Sequence, residues 1–191
     1  MRPSLKASVF DDLTWRELGP RMLELERQEW GPRAFSAREM RWQVTNRDAV
    51  VMTTWERSTL VGFAVAGPDG PGRATLLNVL IDPAYRGQGL VWPLIAALER
   101  ELVARGMREL DIDARVDNGF ADNVERRYAT RAAVIDADHP SPYGVQRTIR
   151  VRLLKGARPP RRTRAAPSPR TARPPAAGPT RRAARTRPPT R

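Results

Sequence analysis

The sequence predicts an α/β (α+β) domain, a mixed and mostly antiparallel sheet flanked by helices in the order β-α-α-β-β-β-α-β-α-β-β, followed by a disordered C-terminal tail. Three observations predict it. Two stretches of helical spacing precede three Val-, Thr- and Leu-rich runs joined by short turns, as in hairpins. Helical and alternating segments then succeed one another, which requires helices packed on a sheet. Composition changes abruptly after Leu154. A chain of 191 residues accommodates one domain with a real core and leaves too little for a second.

The first helix is expected over 14–30, where Leu18, Met22, Leu25 and Trp30 recur at near-helical intervals, with an interruption or late start at Gly19-Pro20. The second is expected over 36–46. Ser36 followed by Glu39 has the form of a capping box, in which side-chain oxygens satisfy the orphan N–H groups of the first turn. Strands follow at 49–56, 59–67 and 74–81, rich in β-branched and aliphatic residues. Residues 91–105 form the clearest helix, with Leu94, Ile95, Leu98 and Leu102 on one face and Gly106 as a stop. A strand over 109–116, a short helix from about Asn123 to Arg131, and a last strand over 144–154 complete the domain.

The formal charge of +13 suggests a nucleic-acid binder until it is divided along the chain. Residues 155–191 hold one Lys and eleven Arg with no Asp or Glu, so residues 1–154 are close to neutral. This tail also carries nine of the 18 prolines and is almost entirely Arg, Pro, Ala, Thr, Gly and Ser. Such a composition offers no core, so 1–154 is read as the domain and 155–191 as a disordered basic arm. An arm of this kind attracts polyanions in a salt-dependent and sequence-blind way, and without stacking aromatics it is read as dispensable.

The absence of cysteine excludes disulfides, thiolate metal sites and a Cys nucleophile. One histidine and scattered carboxylates make a metal site improbable. No apolar run approaches the roughly 20 residues of a membrane span, and the N-terminus lacks the apolar stretch of a signal peptide. A soluble cytoplasmic protein is expected.

The segment Arg86-Gly87-Gln88-Gly89 lies between a strand and a helix. The first N–H groups of a helix lack internal partners and its dipole is positive there, so glycines that let an anion approach make a phosphate cradle, to which Arg86 adds a full charge. No Walker-type Lys-Ser/Thr and no Gly-x-Gly-x-x-Gly is present, which disfavours mononucleotide and dinucleotide sites. With two helices after the first strand and a strand ending in IDPAYRGQG, residues of about 8–154 resemble the GCN5-related N-acetyltransferase (GNAT) family. Its hallmark is Arg/Gln-x-x-Gly-x-Gly/Ala, matched here by RGQGLV from Arg86 to Val91, with Val91 at the final position.

The resemblance implies acetyl-CoA as cosubstrate, its pyrophosphate held by Arg86 and the amides of Gly87, Gln88, Gly89, Leu90 and Val91. It further implies that the backbone near Leu80 and Ile81 splays from the next strand to pair with the pantetheine arm, and that an N–H near Ile81 meets the oxyanion. The family pattern Asn-x-x-Ala-x-x-Leu-Tyr is similar to NGFADNVERRY, which places Asn118 at the cofactor and Tyr128 as general acid. The tyrosine comes three residues late, which Asp122 and Glu125 would absorb if they formed a capping box that delayed the helix.

Glu26, Glu29, Asp111 and Asp113 are candidate bases. His139, in a Pro-rich turn, is another, although a surface His without a special role is the commoner case. Trp30, Phe35 and Trp42 with Glu26 and Glu29 would suit an ammonium over aromatic faces, against the plainer reading that at least two of the rings are core. The expected function is N-acetyl transfer by direct attack of a small-molecule or protein amine. The alternatives are a catalytically inactive GNAT-like binding module and a nucleic-acid-associated protein acting through its tail.

Overall fold

The computed structural model describes residues 4–8 and 10–154; the tail assigned to 155–191 lies outside the described residues. The strands are β1 (Ser4–Ser8), β2 (Val50–Glu56), β3 (Thr59–Pro68), β4 (Arg73–Ile81), β5 (Glu109–Arg115), β6 (Ala132–Ser141) and β7 (Gly144–Arg152). The helices are α1 (Asp12–Trp30), α2 (Ala37–Thr45), α3 (Val91–Ala104) and α4 (Phe120–Arg127). The seven strands form one sheet in the order β1-β2-β3-β4-β5-β7-β6, antiparallel except for β4 beside β5. Among the described residues no helix is long and apolar enough to cross a membrane.

Each face of the sheet carries its own core. Leu18, Met22 and Leu25 of α1 and Met40 and Val44 of α2 pack on Val51, Phe63, Val65 and Leu80. On the opposite face Leu94, Leu98 and Leu102 of α3 and Val124 of α4 pack on Met52, Ala64, Leu76, Ile112 and Ile149. Neighbouring residues of β2 and β3 alternate between the two cores, as the two-residue period of a strand requires.

In β4 that alternation is reset. Val65 opposes Asn78 while Ala66 opposes Leu76, so Leu77 is one residue too many for β3 and forms a β-bulge. Leu76 consequently belongs to the α3/α4 core and Leu80 to the α1/α2 core, although four residues apart on an unbroken strand they would share a face. The bulge also turns Asn78 toward α1, where its Nδ2 donates to Glu26 Oε2 at 2.9 Å.

Several local expectations differ from what is observed. α1 runs through Gly19-Pro20 without a break, because Leu18, Met22 and Leu25 gain burial along one stripe and Gly19 is pressed against the Trp15 ring, where a Cβ would lie 2.7 Å from it. The capping box of α2 is present, Ser36 and Glu39 each bonding the other's backbone N–H. That expected at Asp122 and Glu125 is not. Gly119, with φ of 73°, turns the chain into α4 three residues earlier, the Asn118 side chain accepts from Phe120 N–H at 3.0 Å, and Asp122 and Glu125 both accept from Arg147. The Pro-rich segment around His139 is β6, an edge strand; an edge tolerates Pro140 because a ladder N–H can be missing there.

Candidate functional site: a cleft between two diverging parallel strands

β4 and β5 pair only from Arg73 opposite Glu109 to Leu76 opposite Ile112. Beyond that point β5 follows β7 and β4 follows β3, so the sheet opens into a V. Asp82 N–H donates to Val61 C=O at 2.9 Å; by alternation along the strand, the backbone polar groups of Val79 and Ile81 point away from β3 into the gap. The Ile81 carbonyl there accepts from Arg86 Nε at 3.1 Å. The gap is the mouth of a cavity of about 590 Å³.

The turn after β4 closes one end of this cavity. Asp82 caps a short 3-10 turn (Pro83–Tyr85) by accepting from Ala84 N–H at 2.8 Å, and is itself paired with Arg21 of α1. Gly87 and Gly89 then take φ of 75° and 72°, and nothing lies within 4 Å of where a Cβ would stand on either. Leu90 caps α3 without a side-chain bond. Among the described residues, the backbone N–H groups of Gly87, Gln88, Gly89, Leu90 and Val91 have no protein acceptor. Consecutive free amides, positive-φ glycines and the positive end of a helix dipole make a concavity for an anion, and a diphosphate fits the donor set. The side chain of Val91 does not remove its amide from this set.

The other end of the cavity is formed by the end of α1, the segment after it, and the β5 and β6–β7 ends. Trp30 meets Tyr143 edge to face at 4.9 Å and Phe35 lies 6.0 Å from Tyr143, all three lining the cavity. Glu29 lines the same cavity and is paired with two cations, Arg86 from the Gly-rich turn and Arg115 from β5, the latter at 3.4 Å. Arg115 lies over the Trp30 ring at 5.1 Å and forks onto Asp117 with contacts of 2.9 and 2.7 Å. Burial pushes the Tyr143 hydroxyl above its usual range, with the Glu26 and Glu39 carboxylates adding to it, so it stays protonated.

Of the residues expected at the cofactor, Leu80, Ile81, Arg86, Gly87, Gly89, Leu90, Val91 and Asn118 all line this one cavity. Gln88 does not; its exposed side chain leaves only its amide to the turn. Tyr128, expected as general acid, is brought elsewhere. It caps the C-terminus of α4 at 3% exposure, lies edge-on to Trp92, and donates its hydroxyl to Glu99 of α3. Burial first, then Glu99, pushes its hydroxyl far above the usual range for tyrosine. The early start of α4 is the reason: the three extra residues are helical and carry Tyr128 past the cleft, and Glu125 stands seven residues after Asn118.

The candidate bases also divide. Glu29 and Asp113 line the cavity, and Asp113 accepts from Thr148 at 2.7 Å. Asp111 is held by the Arg150 fork at 2.8 Å and does not reach it. Glu26 is fully buried beside the cavity's aromatic wall, where burial raises its carboxyl above the usual range against the opposing bonds from Asn78 and Phe35 N–H. His139 lies on β6 with Nδ1 3.0 Å from Ala137 C=O, outside the cavity. Trp42 is 68% exposed on α2, away from the cleft, and neither Trp30 nor Phe35 is fully buried, so the reading of these rings as core is corrected. Tyr143, Arg115 and Asn123 line the cavity without having been singled out; Tyr143 stands in a turn, where no periodicity marks it. Among the described residues no cluster of three or more His, Asp or Glu side chains is placed to hold a metal.

Comparison with known proteins bears on the family and the fold. A family model described as the acetyltransferase (GNAT) family matches residues 13–127. An acetyltransferase of Yersinia pestis (strain Pestoides F) is 42% identical over 60 residues, which is 31% of this chain and 42% of that protein. The chain thus spans less than half the length of such sequence relatives. Among solved structures, the ribosomal-protein-S18-alanine N-acetyltransferase from Escherichia coli superposes with a TM-score of 0.62 at 19% identity, covering 81% of this chain and 97% of that one. An aminoglycoside 6′-N-acetyltransferase complexed with coenzyme A does so with a TM-score of 0.62 at 16% identity, covering 81% and 99%. At these identities the likeness is one of fold.

Proposed function

The chain belongs to the acetyltransferase (GNAT) family, and from that premise we propose that it transfers an acetyl group from acetyl-CoA to a primary amine of a small molecule or protein by direct attack. The observation that carries the proposal is the continuity of the cleft: five unpartnered amides at Gly87–Val91 stand at the end of the strand whose Val79 and Ile81 backbone groups face the open side of the sheet. Arg86 and the turn amides would hold the diphosphate, Val79 and Ile81 the amide-bearing arm, and Leu80, Leu90 and Asn118 the walls. Acetyl-CoA supplies the activated acyl carbon as a thioester.

The acceptor amine must be neutral to attack; a C–N bond forms as the C–S bond breaks, the thiolate takes one proton and the ammonium loses another. The Ile81 N–H, directed into the gap, is the donor placed for charge developing on the carbonyl oxygen. Of the cavity's tyrosines, Tyr85 donates to Glu56, whereas the Tyr143 hydroxyl has no partner among the described residues and remains a protonated donor. A sequence relative named for ribosomal-protein alanine and a fold neighbour named for aminoglycosides support reading the acceptor as an amine, without choosing between protein and small molecule.

One observation favours a second reading, a cofactor-binding module without turnover: the tyrosine expected to protonate the thiolate lies in the core. Release of free thiol from acetyl-CoA over a panel of primary amines, alongside calorimetry with acetyl-CoA, separates the two. Binding with turnover supports acetyl transfer, binding without turnover over the whole panel supports the module, and no heat at high micromolar ligand removes both.

A further inference from the structure

Among the described residues, Glu29 is the acidic side chain that joins Arg86 of the Gly-rich turn to Arg115 of β5. Its Oε2 is paired with Nη2 of Arg86, whose Nε at the same time donates to the Ile81 carbonyl, and its Oε1 lies 3.4 Å from Nη1 of Arg115. A single guanidinium therefore occupies both the backbone acceptor at the tip of β4 and a carboxylate in the aromatic half of the cavity. Arg115 is not equivalent to it, because its fork is already satisfied by Asp117. The Glu29 side chain is 17% exposed and that of Arg86 47%, so the carboxylate is the fixed member and the arginine the one free to swing.

Resting on the cleft reading given above, we infer that Glu29 is the ammonium-binding residue of the acceptor site and that the cofactor exposes it. A diphosphate in the turn offers Arg86 a doubly charged, bidentate partner in place of a single carboxylate, so the guanidinium leaves Glu29 and Ile81. Glu29 then keeps only the longer contact to Arg115. A mostly buried carboxylate in the cavity that Trp30, Phe35 and Tyr143 also line is then undercompensated and draws a cation. The acceptor's ammonium is the cation that arrives, and it binds after the cofactor. In the cofactor-free cleft the same carboxylate is neutralised by two arginines and has little attraction for an amine.

The ion pair makes a thermodynamic demand that can be measured without knowing the acceptor. If Arg86 must abandon Glu29 to hold the diphosphate, Glu29 competes against the cofactor. Acetyl-CoA would be titrated calorimetrically into the full chain as wild type, Glu29→Gln, Arg86→Gln and the double variant, with thermal unfolding of each as a check on folding and Glu29→Asp as a milder second variant. Glu29→Gln is expected to tighten acetyl-CoA by about fivefold, Arg86→Gln to weaken it by about tenfold, and Glu29→Gln to change nothing once Arg86 is gone. A crystal structure of the coenzyme A complex should show Arg86 on the diphosphate and Glu29 Oε2 without a protein partner. Wild type that binds acetyl-CoA while Glu29→Gln binds it equally or less well overturns the inference, as does an intact Arg86–Glu29 pair in the complex. Wild type that does not bind acetyl-CoA at all removes the underlying cleft reading instead.

Discussion

The Tyr128 hydroxyl is donated to one carboxylate oxygen of Glu99, while Arg131 Nη2 holds the other at 2.9 Å and lays its guanidinium over the tyrosine ring at 4.5 Å. This triad staples the end of α4 to the middle of α3 on the side of the sheet away from α1. It is a partly buried network around the buried Tyr128 with every member partnered, an arrangement that favours a unique packing and is costly to interrupt.

Tyr128→Phe should therefore act on stability. Loss of a hydrogen bond to a charged acceptor is expected to cost about 2 kcal/mol, read by denaturant unfolding. Acetyl-CoA affinity and turnover at saturating substrate should stay within about twofold of wild type. A drop in turnover of more than about tenfold at unchanged affinity would restore Tyr128 as the proton donor to the thiolate.

Gly89→Ala tests the anion turn through its backbone. Nothing obstructs the added methyl group, so the penalty is conformational: φ of 72° costs an L-residue about 1–2 kcal/mol. Relaxation toward negative φ would rotate the amides away from a shared focus. Acetyl-CoA binding should weaken about tenfold in calorimetry and the unfolding midpoint should fall by about 2–8 °C; equal affinity would show that the turn amides do not carry the diphosphate.

Glu26 predicts a pH dependence. Its folded-state pKa is raised above 4.5, first by burial, so the native state holds the proton more tightly than the unfolded chain. The stabilisation is complete below 4.5 and is lost as pH rises through the raised value. Glu26→Gln preserves an acceptor for Phe35 N–H and, with Asn78 flipped, a bond to Asn78, yet carries no titration. The stability of wild type relative to Glu26→Gln should fall as pH increases from 4.5, measured as the difference in Tm across a pH series; a flat difference would mean that Glu26 ionises in the fold as readily as in water.

Much of the fold was legible because its signals are local. The capping box at Ser36 and Glu39, the apolar stripe of α3 and the strand-like runs of β2, β3 and β4 each depend on residues within a turn or two of one another, and each forms where expected. The Gly-rich turn was legible for the same reason, since a strand end, two glycines and a helix start suffice to expose consecutive amides. α4 starts earlier than the Asp122–Glu125 pattern predicts: an Asx bond at Asn118 with a left-handed Gly119 opens the helix before Asp122 can cap it, and Arg147 from the distant β7 claims both acidic side chains.

By itself the sequence determined the class of the fold, the concentration of positive charge after residue 154, and the place of the Gly-rich turn, because composition, periodicity and turn chemistry are written in neighbouring residues. Only the tertiary structure decided that Leu77 is a bulge, since that depends on how β3 is paired; that β4 and β5 part after Leu76; that Tyr128 faces Glu99; and that Glu29 meets Arg86 across 57 positions of chain. The reason is physical: which face a strand residue presents, and which charge a side chain meets, are set by the register and packing of segments distant in sequence, and a one-residue offset in either reverses the outcome.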